Sequence, residues 1–159
     1  METKMSIVKA IAACVALVLP AAASAQNVVA STGDSVADFF KDEGAKVELT
    51  TDSVGDPNVK VEYYGSDFSV YYYGCGNNTD CSAIQFFSGY QTDGSVRLAK
   101  INEWNTENRF ARGYISEEGA ARIEMDVFLG ADGMSPDDFA QTVSLWTRAM
   151  QDFEEFIGW

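Results

Sequence analysis

From Ser135 onward the chain carries its most restrictive pattern. Phe139, Val143, Trp146, Met150, Phe153 and Ile157 follow one another at spacings of 4, 3, 4, 3 and 4. Those spacings place all six on one side of a helix of about six turns. Ser135 is a helix cap, Pro136 suits the first helical position, and Asp137 and Asp138 complement the helix dipole. Such a broad apolar stripe could line a cofactor. The simpler reading is that it packs on a second layer, and no cofactor is expected.

The second layer is legible upstream as period-two alternation. Val47, Leu49 and Thr51 share one side of a strand over Lys46 to Asp52. Val59, Val61 and Tyr63 alternate with Lys60, Glu62 and Tyr64, and Phe68, Val70 and Tyr72 alternate with Ser69, Tyr71 and Tyr73. Turn residues at Asp52–Pro57 and Gly65–Asp67 separate these runs. Ser82 to Phe87 makes a fourth, short strand. Arg109 to Ser116 and Ala121 to Leu129 form a hairpin about Glu117-Glu118-Gly119, with glycine where a type I turn and G1 bulge need it. Two further helices are expected. One is capped by Asp34 or Ser35 and buries Val36, Phe39 and Phe40. The other opens at Gly94-Ser95 with Leu98, Ile101 and Trp104 inward. Gln26 to Gly33 has no periodicity and reads as a loose arm. The order is α-β-β-β-(β)-α-β-β-α, which predicts one α+β domain over residues 26–159, with helices on one face of a mainly antiparallel sheet.

Residues 1–25 read as an address. Lys4 and Lys9 precede an apolar run of ten residues, Ala10 to Leu19, and Ala23-Ser24-Ala25 gives a small-residue cleavage site before Gln26. This is the form of a secretory signal peptide cut between Ala25 and Gln26. The run is too short to span a bilayer, which takes about 20 residues. Ile11-Ala12-Ala13-Cys14 also has the form of a lipobox. Apolar residues continue past Cys14 and few precede it, so lipidation ranks second. A periplasmic or secreted location is expected. After cleavage the cysteines left are Cys75 and Cys81, which read as one disulfide closing a turn-rich loop.

Composition excludes several chemistries. The chain has no histidine, so it has no Ser-His-Asp triad, no Cys-His dyad and no histidine-ligated zinc. A formal net charge of −13 argues against nucleic acid and anionic membrane surfaces as partners. Glu124 and Asp126 share a strand face as glycosidase carboxylates can. Arg112 opposite Glu124 favours a structural ion pair instead. Asn77, Asn78 and Asp80 lack EF-hand spacing and read as a polar hairpin tip. No catalytic residue and no metal site are assigned.

With helices on one face, the other carries Tyr64, Tyr71, Tyr73, Phe110, Arg112 and Tyr114. Aromatics with arginine are typical of contact surfaces. Two readings stay open: a face for a protein partner or a second copy, or a face covered by another segment or by rings lying flat.

Ser82-Ala-Ile-Gln-Phe-Phe-Ser-Gly-Tyr90, Ile101-Asn-Glu-Trp-Asn105, Arg109-Phe-Ala-Arg-Gly-Tyr114, Glu124-Met-Asp-Val127 and the stretch from Leu145-Trp146 to Phe153-Glu-Glu-Phe-Ile157 resemble the YbjN-domain family. That family is described as a bacterial sensory transduction regulator. The resemblance runs from about Val36 to Ile157. It implies an α+β fold similar to type III secretion chaperones, which dimerise and hold extended client segments, and it carries over no catalytic residue. The resulting expectation is an exported, non-enzymatic binding protein, regulatory or chaperone-like. The alternative is a small-ligand sensing module of the envelope with a pocket between the sheet and Trp104 or Trp146. An unrecognised enzyme is the third reading.

Overall fold

A computed structural model describes residues 26–159. The expected signal peptide, its Ala25 cleavage residue and the lipobox cysteine lie outside the described residues. Helix α1 spans Gly33–Asp42. Strands β1 (Lys46–Thr51), β2 (Pro57–Tyr63), β3 (Ser66–Tyr73) and β4 (Ala83–Tyr90) follow. Then come α2 (Leu98–Glu107), β5 (Arg112–Ile115), β6 (Ala121–Phe128) and α3 (Pro136–Ile157). All six strands form one antiparallel sheet in the order β1-β2-β3-β4-β6-β5. The α+β class and the element order agree with the sequence reading, and the fourth strand takes its full place.

The stripe of α3 is buried along its whole length: Phe139, Val143, Trp146, Met150, Phe153 and Ile157 all face the core. Trp146 stacks on Phe86 at 5.7 Å and meets Phe68 edge-on at 6.0 Å. Phe40 of α1 meets Phe68 and Phe139. Trp104 of α2 meets Phe153 edge-on at 5.0 Å. The three helices therefore seal the face formed by Val59, Val61, Phe68, Val70, Tyr72, Ile84, Phe86, Ile123 and Met125. Each large apolar side chain so buried contributes about 1.5–3 kcal/mol before entropy. At the start of α3, Ser135 accepts from the Asp138 N–H at 3.2 Å, as a capping serine should.

Several local expectations need correction. Residues 26–32 are not a loose arm. Val28 exchanges backbone bonds with Met134 at 2.8 and 2.9 Å, the Val29 N–H donates to Ser35 Oγ, and Val28 and Ala30 are buried. The pattern missed this because a single bridging strand shows no alternation. Helix α2 starts at Leu98, not at Gly94. Asp93 and Gly94 both take left-handed backbone conformations, which a helix excludes, so Val96 is buried and Leu98 is exposed. Leu49 on the edge strand is half out in solvent. The β4 strand runs on to Tyr90, and β5 begins only at Arg112.

The β5–β6 turn matches its expectation. The Ser116 N–H donates to the Ala120 carbonyl, the Gly119 N–H to the Ser116 carbonyl, and Gly119 has a φ of +86°. Cys75 and Cys81 form the disulfide. The loop it closes is tied down at several points. The Asp80 N–H donates to the Ser31 carbonyl at 2.9 Å, and the Asn78 amide donates to Asp56 Oδ1 at 2.8 Å and to the Val54 carbonyl at 3.1 Å. Asn78 is thus committed to holding the β1–β2 turn.

Candidate protein-binding face

Alternation sends every second residue of each strand to the side away from the helices. No helix among the described residues covers that side. Register lines up Arg112, Glu124, Phe87, Ser69, Lys60 and Glu48 across the sheet, each opposite its neighbour. The β1–β2 half is charged, with Lys46 bonded to Glu62 at 2.7 Å and Lys60 to Glu48 at 3.0 Å. The other half is aromatic and concave. Tyr71, Tyr73, Gln85, Phe87, Arg112, Tyr114, Arg122, Glu124 and Asp126 line a depression of about 490 Å³.

The aromatic half has a definite internal chemistry. Tyr71 and Phe87 meet edge to face at 5.6 Å. The Arg122 guanidinium lies 5.8 Å from the Phe87 ring centre and 5.9 Å from that of Tyr114, so one cation bridges two rings. The Tyr73 hydroxyl donates to Gln85 Oε1 at 3.3 Å, and the Gln85 amide donates to Asp126 Oδ1 at 2.7 Å. Burial pushes the Tyr73 phenol pKa up, helped by the charges of Glu124 and Asp126. Glu124 is only 6% exposed and is ion-paired with Arg112, whose own side chain is exposed. That pairing ties the Glu124 side chain into an ion pair across β5 and β6. The rings thus lie over a polar floor of Gln85 and Glu124 while Tyr73 remains 48% exposed.

Four of the six face residues read from sequence come together here: Tyr71, Tyr73, Arg112 and Tyr114. The other two do not. Tyr64 lies in the two-residue β2–β3 turn with φ of +50°, next to Gly65 at +81°, and its ring rests 4.4 Å from Tyr63. The strand alternation was carried one residue too far, into a turn whose backbone breaks it. Phe110 precedes β5 and has no partner in the β5–β6 register, so its expected position opposite Asp126 is not formed. It stands 57% exposed beside the sheet edge. Arg122 lies opposite Tyr114, as the hairpin register predicts, while Phe87 and Gln85 are members of the site that the sequence reading does not name. Both lie within the expected strand Ser82–Phe87, where they alternate with the buried Ile84 and Phe86, so period-two alternation places them on this face. Trp104 and Trp146, beside which the alternative reading expects a ligand pocket, are buried among Phe86, Phe68, Phe153 and Phe156.

Asn105 is a further residue with an unexpected task. Its amide donates to the Gly113 carbonyl at 3.0 Å and accepts from the Gly113 N–H at 2.8 Å. A side chain thereby stands in for a seventh strand and blunts the β5 edge. Among the described residues no group of three or more potential metal ligands occurs, and no helix is long and apolar enough to cross a membrane.

Among solved structures, an uncharacterised protein from Methanothermobacter thermautotrophicus is similar at 14% identity and a TM-score of 0.55, over 79% of this chain and 95% of that one. It shares the fold. The Yersinia pestis type III secretion chaperone SycH, solved in complex with a stable fragment of YscM2, is similar at 14% identity and a TM-score of 0.43, over 76% of this chain and 96% of that one. No curated protein matches the chain. The YbjN family model, described as "Putative bacterial sensory transduction regulator", matches residues 32–159, from the cap of α1 through α3. The chain belongs to the YbjN family.

Proposed function

We propose that this chain is an exported, non-enzymatic regulator that works by holding a protein partner against the uncovered face of its sheet. The observation that carries the proposal is the aromatic depression formed by Tyr71, Tyr73, Phe87, Tyr114 and the two arginines, left open by all three helices. Rigid rings with arginine supply contact area at low entropic cost. The family's regulatory description accords with such a role. A non-enzymatic role is supported by the absence of histidine and by Glu124 being locked to Arg112. Export is supported by the form of residues 1–25 and by the Cys75–Cys81 bond, since disulfides persist in oxidising compartments.

Photocrosslinking in living cells tests the face. A benzophenone side chain at position 71 or 73 is expected to capture a discrete partner, or a second copy of the chain. The same group at Ser144, exposed on α3, is expected to capture none. Equal capture from all three positions, or capture from Ser144 alone, would remove the face from the proposal. Fractionation tests the location: the cleaved chain is expected outside the cytoplasm. A full-length cytoplasmic product would overturn export.

A further inference from the structure

The sheet has a gap in its pairing, and it lies beside the aromatic depression. Strand β6 is paired with β4 over its whole length, from Ala121 to Phe128. On its other side β5 pairs only with Ala121–Glu124. Among the described residues no strand lies alongside Met125–Phe128 on that side. Antiparallel pairing fixes which backbone groups point there. The Gly113 N–H and C=O turn outward to Asn105, so Arg112 and Tyr114 direct theirs toward Glu124 and Arg122. By the same alternation Asp126 and Phe128 direct their N–H and C=O groups to the vacant side. The Leu129 N–H, one residue on, donates the opposite way, to Ser82 on the β4 side. An ordered strand therefore presents two donors and two acceptors without a strand to receive them.

The surroundings give the gap a chemistry. It forms a notch of about 350 Å³ whose lining carries two arginines, Arg109 and Arg112, and two carboxylates, Glu124 and Asp126, beside Phe110 and Met125. Phe110 on its lining is 57% exposed, and Phe128 at the end of β6 is 76% exposed. Glu124 already has its cation in Arg112. Asp126 is exposed and accepts only the neutral Gln85 amide. A residue directly opposite Asp126 on an added strand would gain most by being cationic. The net charge of −13 favours a cationic over an anionic segment for the molecule as a whole.

We infer that this notch accepts an extended protein segment as an added strand beside Met125–Phe128, in line with β5. The segment alternates, with Lys or Arg facing Asp126 and apolar residues on the side of Met125 and Val127. The inference rests on the reading of this chain as a protein-binding regulator, and it names the chemistry of the partner. Backbone pairing supplies affinity and the charge opposite Asp126 supplies selection.

The test uses the purified protein and three fluorescein-labelled ten-residue peptides. One alternates Lys and Val, one alternates Glu and Val, and one is the Lys/Val peptide with alternate backbone nitrogens methylated. Fluorescence anisotropy at low salt is expected to show saturable binding of the Lys/Val peptide and at least about tenfold weaker binding of the other two. Amide hydrogen exchange at Asp126 and Phe128 is expected to slow on saturation while exchange in β2 and β3 is unchanged. Asp126→Lys, checked for an unchanged melting temperature, should weaken the Lys/Val peptide about tenfold and favour the Glu/Val peptide. Asp126→Asn should fall between the two. Binding indifferent to N-methylation, or unchanged exchange at Asp126 and Phe128, or no saturable binding, would overturn the inference. Capture from positions 71 and 73 together with an unresponsive edge would leave the face reading standing and this one fallen. Edge protection by the peptide with no capture from 71 and 73 would do the reverse.

Discussion

At Gly113, the amide of Asn105 does what a neighbouring strand does elsewhere in the sheet, donating to one main-chain group and accepting from the other. Asn105→Ala leaves both groups to water on an edge strand. It is expected to cost about 1–2 kcal/mol in urea unfolding, with Asn105→Asp between it and the native chain because it keeps the acceptor and loses the donor. The two large indoles make a second comparison. The Trp104 Nε1–H donates to the Ala111 carbonyl at 3.2 Å, whereas Trp146 Nε1 is buried without a partner. Replacement by Phe removes ring volume at both sites but a hydrogen bond at only one. Trp104→Phe is therefore expected to be more destabilising than Trp146→Phe by about 1 kcal/mol in the same assay. Sequence alone showed that both indoles face inward. It did not show the role of Asn105, since an asparagine near a helix end looks like a weak helix former until the strand edge beside it is known.

Among the elements, α3 is the one on which the others depend, since Phe139 and Trp146 complete the ring packing of α1, β3 and β4. A chain cut after Ser135 is expected to show no cooperative melting transition by circular dichroism. The disulfide loop is a more modest support. Cys75→Ser with Cys81→Ser reopens a loop with a sequence separation of 6 and is expected to lower stability by about 2 kcal/mol. Elements with several periods of pattern were legible: α3 from its apolar stripe, β2 and β3 from alternation, the β5–β6 turn from Gly119. Failures fell where one or two residues decide the backbone. Asp93-Gly94 postpones α2, Tyr64-Gly65 ends the alternation of β2, and the late start of β5 leaves Phe110 off the strand. These are conformational choices made by tertiary contacts, and no periodicity records them. The face was legible in part for the same reason: Tyr71, Tyr73, Arg112 and Tyr114 lie on strands and were placed, whereas Tyr64 and Phe110 lie just outside them and were not.

On the scale of the molecule, the absence of histidine removes the usual titration near neutrality. Burial raises the phenol pKa values of Tyr72, Tyr90, Tyr73 and Tyr63, so the folded state favours their neutral form. Stability from these groups is fully present below the unfolded tyrosine value near pH 10 and is lost as pH rises through the raised folded values. The melting temperature is accordingly expected to be flat from about pH 6 to 9 and to fall on the alkaline side. A step between pH 6 and 7 would contradict this account. The position of α3 after every strand has a consequence for biosynthesis. A nascent chain that has delivered all six strands holds a greasy sheet that α1 and α2 roof only in part, and the rest of the roof is the 22 residues that follow. Folding is thus deferred until α3 has been made, and the emerging polypeptide stays pliable until then.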